Sequence, residues 1–368
     1  MLLTAFSATP PRFQISQARS LEWLAEAHAE AEATRAALSP AEKTLFAARM
    51  VRLLARCACA PDKIARRGHS VADIELGGWD GNDIYDLRRH PHGTGTATRT
   101  RVFAEVVNAY FEDAYASERA PDDLVHITCT GYASPSGAQQ LVARRGWSTR
   151  VTHAYHMGCY AAVPAVRIAA GLAATGSRRV DLVHTELCSL HLDPSDHRVE
   201  QLVVQSLFAD GLIRYSLVPD APHGLELVAL HEQLVPDSAT AMRWLAGDHG
   251  MHMTLARDVP ERIAAVLRAF VIELYRRAGV DVARTRDSLF AVHPGGPRII
   301  DGVQHTLELS DAQVAASRAV LLDHGNMSSA TLPHVWMRLD ASARPGTLIA
   351  SLAFGPGLTV CGALFEKR

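Results

Sequence analysis

The chain has 368 residues, 48% of them apolar, and a formal net charge of −2 at pH 7. A chain of this length buries a large core and forms one or two domains. The nearly balanced charge argues against nucleic acid and against an anionic membrane as partners. No stretch reaches the roughly 18 uninterrupted apolar residues of a membrane span, and the first residues lack the apolar core of a signal peptide. We therefore expect a cytoplasmic protein.

The amino-terminal part is predicted to be mainly helical. Apolar and alanine positions recur at helical spacing across residues 17–60, where Ser39 and Pro40 resemble an N-cap followed by the first helical position. Residues 70–98 are rich in Gly, Asp, Asn, Pro and His, and this composition predicts a loop at the edge of a cavity. A further amphipathic helix is predicted for residues 100–117.

Strands and helices alternate along the remainder of the chain. The predicted strands are residues 123–129, 149–156, 180–186, 212–218, 224–232, 288–292, 347–353 and 358–366. The predicted helices are residues 137–145, 159–175, 199–208, 260–279, 296–308, 311–322 and 326–339. This alternation predicts layered α/β packing with buried sheets.

The chain contains six cysteines and 18 histidines, residue types that can form disulfides or metal sites. The cysteines form no C-x-x-C pair and no spacing typical of a zinc site, so we expect reduced thiols. No histidine group matches a carboxylate-assisted ligand pattern such as H-E-x-x-H. The sequence therefore predicts neither a metal ion nor a cofactor.

Three polar groups stand directly after predicted elements or at their junction, in turns that contain glycine. Cys159 lies at a strand-to-helix elbow, where the helix N-terminus favours the thiolate. His293 begins a His-Pro-Gly-Gly-Pro motif, and Asn326 lies in a Gly-Asn-Met-Ser-Ser motif. Together they can form a nucleophile, its imidazole partner and an amide donor for oxyanion charge. Each alone has an ordinary interpretation: a buried structural cysteine, a turn histidine and a capping asparagine.

These motifs together resemble those of the type III polyketide synthases, the chalcone-synthase-like branch of the thiolase-fold condensing enzymes. The similarity extends from about residue 125 to the carboxyl terminus. The matching segments are His156-Met-Gly-Cys-Tyr160, Leu207-Phe-Ala-Asp-Gly211, His293-Pro-Gly-Gly-Pro297, Gly325-Asn-Met-Ser-Ser329 and Phe354-Gly-Pro-Gly-Leu-Thr359. Before the last of these segments, Ala353 takes the place of the first glycine of the family motif.

The resemblance implies an α/β thiolase fold of five layers, αβαβα, with two pseudo-duplicated halves. Residues 1–225 would form the half that carries the nucleophilic Cys159, and residues 226–368 the half that carries His293 and Asn326. By the same resemblance Cys159 is acylated, while His293 and Asn326 form the oxyanion site and assist carbanion formation. The resemblance also implies a homodimer.

The resemblance further identifies walls of the substrate cavity. Phe208 matches a phenylalanine at the entrance of the acyl tunnel, and the second such phenylalanine falls on Met253. A methionine at this position adapts to longer or more varied acyl chains. The alternative is that it only fills the core. Cys129 and Cys188 replace family threonines that line the cavity.

Other cavity positions are also informative. Glu186 is retained from the family, and we expect Ser328 to contact the substrate. Ser134 falls where many members carry a methionine that crosses the dimer interface into the neighbouring cavity. The altered lining predicts a differently shaped pocket, and hence a product other than a chalcone.

The coenzyme A site departs further from the family. Plant members bind the phosphates with three basic residues on an N-terminal helix, and these positions hold Leu54, Cys57 and Pro61 here. This loss suggests that the acyl chain arrives on the phosphopantetheine arm of an acyl carrier protein and not on coenzyme A. Nearby basic residues that could still bind phosphate are Arg52, Arg56, Lys63, Arg66 and Arg67. Four other arginines suit the docking of an acidic carrier protein, or they only form a solvated surface. They are Arg144, Arg145, Arg178 and Arg179.

The departures resemble the myxobacterial α-pyrone-forming, chain-interconnecting ketosynthases of myxopyronin and corallopyronin antibiotic biosynthesis. We therefore predict an acyltransferase that joins two β-ketoacyl thioesters through acyl-Cys159 and releases an α-pyrone. Glu186 would remove the α-proton, or would have a structural role at the dimer interface. The alternatives are a ketoacyl synthase III-like condensation with a malonyl thioester, which gives a linear product, and a non-catalytic partner of another synthase.

Overall fold

The computed structural model describes the backbone of residues 1–368 and every side chain except that of Leu76. Its strands are β1 (Leu2–Thr9), β2 (Phe13–Ser16), β3 (Arg66–His69), β4 (Asp123–Thr128), β5 (Arg150–Tyr155), β6 (Val180–Leu187), β7 (Asp210–Val218), β8 (Leu225–Leu234), β9 (Met242–Gly247), β10 (Gly250–Leu255), β11 (Leu289–Val292), β12 (Leu348–Gly355) and β13 (Thr359–Lys367).

The α-helices are α1 (Gln17–Ala36), α2 (Pro40–Cys57), α3 (Asp73–Leu76), α4 (Thr96–Ala114), α5 (Gly137–Arg145), α6 (Ala162–Ala174), α7 (Val199–Leu207), α8 (Val259–Arg277), α9 (Pro297–Leu307), α10 (Asp311–His324) and α11 (Thr331–Ser342). Short 3-10 helices span Gly158–Tyr160, Cys188–His191, Val282–Arg286 and Ser328–Ala330. Among the described residues, no helix combines the length and apolarity that crossing a membrane requires.

Nine strands form one mixed sheet in the order β11-β12-β13-β8-β1-β7-β6-β4-β5. Strands β1 and β8 pair only through Leu2 with Glu226 and Leu3 with Leu225, so this short link joins two half-sheets. Strand β4 runs parallel to β5 and β6, and β11 runs parallel to β12. The four remaining strands form the separate pairs β2–β3 and β9–β10.

Helices α6 and α11 lie between the half-sheets. Helix α6 contacts β4, β6 and β7 on one side and β13 on the other, while α11 contacts β11 and β7. The buried face of α6 is rich in alanine, for example Ala165 and Ala169, and such small side chains let a helix approach two sheets closely. Helix α4 covers the outside of the first half and α8 the outside of the second. These layers confirm the predicted αβαβα packing.

The amino-terminal region differs from the sequence-based expectation at β1 and in residues 70–98. Strand β1 was not predicted, because a register shift around Ala5, whose φ is 53°, interrupts the alternation of its buried residues. The predicted N-cap at Ser39, with Pro40 at the first helical position, is confirmed: the helical region 17–60 consists of two helices, since the chain turns at Ala37 (φ 50°) and α2 begins with a capping box at Ser39. The loop expected for residues 70–98 contains the short helix α3 and the start of α4.

Trp336 of α11 contacts both half-sheets. Its indole N–H donates to the hydroxyl of Ser351 (2.7 Å), and its ring meets the rings of Tyr215 and Phe365 edge-on. We expect Trp336→Ala to lower the free energy of unfolding by about 3–5 kcal/mol because it leaves a cavity, as measured by urea denaturation. The control Leu45→Ala, at an exposed position of α2, should change it by less than about 0.5 kcal/mol. Equal losses would contradict the central role of Trp336.

Candidate active site

Cys159 lies on a sharp turn between β5 and α6. The backbone takes positive φ angles at His156 (60°) and Gly158 (76°) before the 3-10 turn Gly158–Tyr160 leads into α6. A Cβ atom on Gly158 would lie 2.9 Å from Cδ of Pro356, so glycine permits this close approach to the second half of the chain. The turn presents the buried sulfur of Cys159 near the amino-terminal end of α6.

Asn326 is held by the backbone of the first half of the chain. Its N–H donates to the carbonyl of Leu207 (2.9 Å), and its carbonyl accepts from the N–H of Ala209 (2.8 Å). Its side-chain Oδ1 accepts from the N–H of Ser328 (2.9 Å), and Nδ2 donates to the carbonyl of Gly295 (3.3 Å). The amide therefore has a fixed orientation, and only one of its two N–H groups is used in these contacts.

Ser328 connects the asparagine loop to the nucleophile. Its hydroxyl lies 3.9 Å from Sγ of Cys159 and 3.1 Å from Sγ of Cys129. Its φ of 50° is uncommon for a residue with a side chain. In this conformation its N–H donates to Oδ1 of Asn326. The structure thus brings Cys159, Ser328 and the Asn326 loop together.

His293 follows β11, and hydrogen bonds through Gly295 link it to Asn326. Its N–H donates to the carbonyl of Leu352 (2.7 Å), and its carbonyl accepts from the N–H of Gly295 (2.9 Å), the residue whose carbonyl accepts from Asn326. The ring is buried, and neither ring nitrogen has a hydrogen-bond partner among the described residues. Because buried polar groups are normally paired, this imidazole is suited to bind an oxygen of a ligand.

Burial determines the charge of both groups in the unliganded site. It raises the pKa of Cys159 to about 12, although hydrogen bonding to Ser328 and Asn326 acts in the opposite direction. It also lowers the pKa of His293 to about 3. The effect of the helix N-terminus, from which a thiolate was expected, is therefore outweighed by desolvation. The sulfur must lose its proton when the substrate arrives.

Glu186 lies beside Cys129 and is completely buried. Its carboxylate accepts from the N–H of Cys129 (3.0 Å), the hydroxyl of Thr130 (3.0 Å) and the hydroxyl of Ser329. Burial raises the pKa of this carboxyl group, and these hydrogen bonds act in the opposite direction. The side chain has no exposed surface, so it cannot itself contact a partner subunit. The expected alternative role at an interface is therefore wrong as a direct contact.

The sulfur of Cys159 opens into a cavity of about 310 Å³, part of which is open to solvent. Its lining consists of Cys129, Thr130, Gly158, Cys159, Cys188, Phe208, Trp244, Met253, Ser328 and Pro356. A second space of about 390 Å³ shares the lining residues Cys188, Phe208, Trp244 and Met253. These four residues therefore stand between the two spaces. Met253 has both of its expected roles, since it lines the cavity and also packs in a hydrophobic cluster.

Trp244 and Thr130 line this cavity but were missed by the sequence interpretation. The indole N–H of Trp244 donates to the carbonyl of Cys129 (2.6 Å), and its ring meets His191 edge-on. Trp244 lies on β9, which pairs with β10 across Asp248 and His249. Two short β-prone runs around this two-residue turn were the available signal for a hairpin, but the sequence alone does not show which cavity the hairpin covers.

The basic residues near the expected coenzyme A site have different environments. Arg67 is buried and donates to the side chain of Gln17 (2.8 Å) and to the carbonyls of Gln205 (2.8 Å) and Phe208 (2.7 Å). It is therefore a structural residue, and its expected availability for phosphate is wrong. The remaining candidates are exposed: Arg52, Arg56, Lys63 and Arg66. Of the family's three basic positions, Leu54 is buried, Cys57 is half-buried and Pro61 is exposed.

The arginines considered for carrier docking are partly engaged with carboxylates. Arg144 and Arg145 both pair with Glu112, and Arg179 pairs with Asp181. All six cysteines are free thiols. In the part of the chain that the structure describes, no group of three or more His, Cys, Asp or Glu side chains is arranged to hold a metal ion.

Comparison with known proteins places this site in context. The family model of the chalcone and stilbene synthases, N-terminal domain, matches residues 116–216, and the model of their C-terminal domain matches residues 226–367. Type III polyketide synthase C of Arabidopsis thaliana is 30% identical over 265 residues, which cover 68% of this chain and 69% of the relative. The 1,3,6,8-tetrahydroxynaphthalene synthase of Streptomyces griseus is 31% identical over 269 residues, with 71% and 70% covered.

Solved structures show the same fold over the whole chain. The 1,3,6,8-tetrahydroxynaphthalene synthase of Streptomyces coelicolor A3(2) superposes with a TM-score of 0.80 at 23% identity, covering 100% of this chain and 99% of that chain. The C-terminal type III polyketide synthase domain of Steely1 from Dictyostelium gives 0.82 at 24% identity, with the same coverage. At these identities the likeness shows the fold alone, and it confirms the predicted thiolase fold.

The turn at Gly158 can be tested by adding one methyl group. Gly158→Ala would place a side chain on a left-handed residue, in contact with Pro356, and should lower the free energy of unfolding by at least about 1–2 kcal/mol. Gly171→Ala in α6 is the matched control, because nothing lies within 4 Å of its Cβ position. It should stabilise the protein slightly or leave it unchanged. Urea denaturation of both variants measures the difference, and similar effects would contradict the strained turn.

Proposed function

Because the chain belongs to the chalcone and stilbene synthase family of type III polyketide synthases, it is a polyketide-forming acyltransferase, and we propose that Cys159 carries its acyl intermediate. The observation that carries this proposal is the connected set of contacts from Cys159 through Ser328 to Asn326, and from there through Gly295 to His293. In the proposed division of the chain, residues 1–225 supply the nucleophile and residues 226–368 supply the other two groups.

In the first step of the proposal, the sulfur of Cys159 attacks the carbonyl of an acyl thioester. Its proton passes to the unpartnered imidazole of His293, since the thiol is neutral in the unliganded site. The oxyanion that develops accepts hydrogen bonds from the unused amide N–H of Asn326 and from the protonated His293. Preorganised donors of this kind act strongly in a buried site because they need no reorganisation.

In the second step, a β-ketoacyl thioester loses an α-proton, and its carbanion attacks the acyl carbon on Cys159. A carbon–carbon bond forms, and the sulfur of Cys159 leaves. No decarboxylation is needed when the extender is already a β-ketoacyl chain. Glu186 is the proposed base, since burial raises the pKa of its carboxyl group and makes its carboxylate more basic. Because its own side chain is buried, it would take the proton through the hydroxyl of Thr130, which lines the cavity and donates to it (3.0 Å). An enol oxygen then attacks the remaining thioester carbonyl and releases an α-pyrone.

We propose acyl chains on a carrier protein as the donors, with acyl-coenzyme A as the alternative. The three basic positions of plant relatives are replaced by Leu54, Cys57 and Pro61, which supports a different donor. The exposed Arg52, Arg56, Lys63 and Arg66 could still bind a phosphate of either donor. A homodimer is part of this proposal, and the exposed Ser134 would present a small side chain where relatives insert a methionine.

Incubation with a β-ketoacyl carrier protein or the matching acyl-coenzyme A tests the reaction. We expect a pyrone that contains both chains, detected by mass spectrometry, and an acyl adduct on Cys159. Asn326→Ala should lower kcat by about 10²–10³ because it removes an oxyanion donor, and Cys159→Ala should abolish product and adduct. Cys57→Ala, on α2 and outside the cavity lining, is the control.

The outcomes separate the alternatives. A linear β-ketoacyl product from a malonyl thioester would support the ketoacyl synthase III-like reaction instead. Full turnover by Cys159→Ala would contradict the acyl-cysteine intermediate. The alternative of a non-catalytic partner is disfavoured, because Cys159, His293 and Asn326 are all retained. Loss of turnover in Asn326→Ala and Cys159→Ala would exclude it.

The proposed acyl tunnel passes Met253, so its size should limit the chain that the enzyme accepts. Met253→Phe would fill part of the space shared by the two cavities. We expect kcat/KM for the longest accepted acyl chain to fall about tenfold or more relative to that for a short acyl chain. This is the effect expected when a pocket excludes a methylene group. The control Leu245→Phe lies on the same hairpin at an exposed position. If both variants kept the wild-type length profile, Met253 would not line the tunnel.

A further inference from the structure

Three thiols line the cavity at the candidate nucleophile: Cys159, Cys129 and Cys188. Cys129 differs from Cys188 because its sulfur donates a hydrogen bond to Oε2 of Glu186 at 3.4 Å. We propose that Cys129 is a second acyl-carrying nucleophile, which receives an acyl group from acyl-Cys159 and leaves Cys159 available for the next chain. This inference rests on the proposed acylation of Cys159.

The two sulfurs are close enough for such a transfer. The hydroxyl of Ser328 lies 3.1 Å from the sulfur of Cys129 and 3.9 Å from that of Cys159. The sulfurs can be no further apart than these two contacts placed end to end, and both face the same cavity. The transfer requires that rotation of the Cys159 and Cys129 side chains bring the acyl carbonyl on Cys159 to the sulfur of Cys129.

Cys129 is held firmly and has a carboxylate as its neighbour. Its N–H donates to Glu186 (3.0 Å), and its carbonyl accepts from the indole of Trp244 (2.6 Å). Burial raises the pKa of the Cys129 thiol well above its ordinary value, and the charge of Glu186 adds to this effect. The thiol is therefore neutral and needs a base before it can attack. Glu186 is in contact with the sulfur and can act as that base.

The transfer balances without any oxidant or reductant. The sulfur of Cys129 attacks the acyl carbonyl of acyl-Cys159, and the bond from that carbon to the sulfur of Cys159 breaks. The thiol proton passes to Glu186 and ends on the sulfur of Cys159, with the hydroxyl of Ser328 in contact with both sulfurs as a relay. One thioester and one thiol are thus converted into another thioester and another thiol.

This second site would let one cavity hold both chains that are to be joined. After the transfer, Cys159 accepts a second acyl group. The α-carbon of the chain on Cys129 then attacks the carbonyl on Cys159 and releases that thiol. Attack of an enol oxygen on the thioester of Cys129 closes the ring and releases the product, so both thiols return to their starting state.

Intact-protein mass spectrometry with S-octanoyl-N-acetylcysteamine tests the proposal, because this thioester has no β-keto group and cannot condense. We expect two octanoyl groups on each wild-type chain, mapped by peptide analysis to Cys159 and Cys129. Cys129→Ala should carry one group, on Cys159, and Cys159→Ala should carry none. Cys57→Ala is the control, a thiol of α2 outside the cavity lining, and should still carry two groups.

A variant of the base gives an independent readout. In Glu186→Gln the second acylation should slow about 10²-fold or more relative to the acylation of Cys159 in the same variant, and the adduct on Cys159 shows that the site is folded. A single adduct on Cys159 of the wild type, a second adduct on Cys188, or an adduct on Cys129 in Cys159→Ala would each overturn the transfer to Cys129. In the first two cases the proposed function is unaffected. Absence of any adduct on wild-type Cys159 would overturn both proposals.

Discussion

The candidate site depends on the β-bridge between Phe208 and Asn326, since this contact joins a loop of the second half to the first half. Arg67 stabilises this bridge, because its buried guanidinium donates to the carbonyls of Gln205 and Phe208. A Cβ atom on Gly211 would lie 2.6 Å from Cβ of Met327, so the two segments pack backbone against side chain. Neither proposed half alone contains both the proposed nucleophile and the proposed oxyanion donors, and the bridge contributes to their relative position.

The chemistry of the site follows from burial as much as from residue type. Cys159 and His293 are both withdrawn from water, and the cost of ionisation keeps both neutral until a ligand enters. The two ring nitrogens of His293 lack partners among the described residues, and a buried unpaired polar atom costs about 1–3 kcal/mol. The surrounding core offsets this cost. In the proposed mechanism a ligand carbonyl would supply the missing acceptor, so binding would relieve a penalty already present in the unliganded protein.

Local patterns predicted the parts of the structure that local chemistry determines. Helix α5 begins and ends where it was expected, because Ser136 forms a capping box and Gly146 adopts the left-handed C-cap. Cys159, His293 and Asn326 stood out because each follows or joins an element at a glycine turn. Strand β1 escaped prediction because the irregularity at Ala5 breaks its alternation.

Long-range contacts could not be predicted in the same way. Arg67 lies in a run of basic residues, and its charge suggested a phosphate ligand, but tertiary packing buries it among backbone carbonyls. Trp244 contributes to the cavity only because its hairpin folds over Cys129, a residue far away in the chain. The pairing of Cys129 with Glu186 likewise depends on the parallel alignment of β4 and β6. Each of these contacts is determined by topology, which residue spacing does not encode.

The position of β1 in the sheet has a consequence for biosynthesis. This strand is translated before β7 and β8, yet it lies between them, where Leu3 pairs with both Leu217 and Leu225. Contacts so distant in sequence form slowly, since a long loop must close before they are gained. While the ribosome is still producing the intervening residues, β1 is an apolar segment with two unpaired edges. The nascent chain therefore has a long interval in which the edges of this strand stay unpaired, and unpaired strand edges favour aggregation.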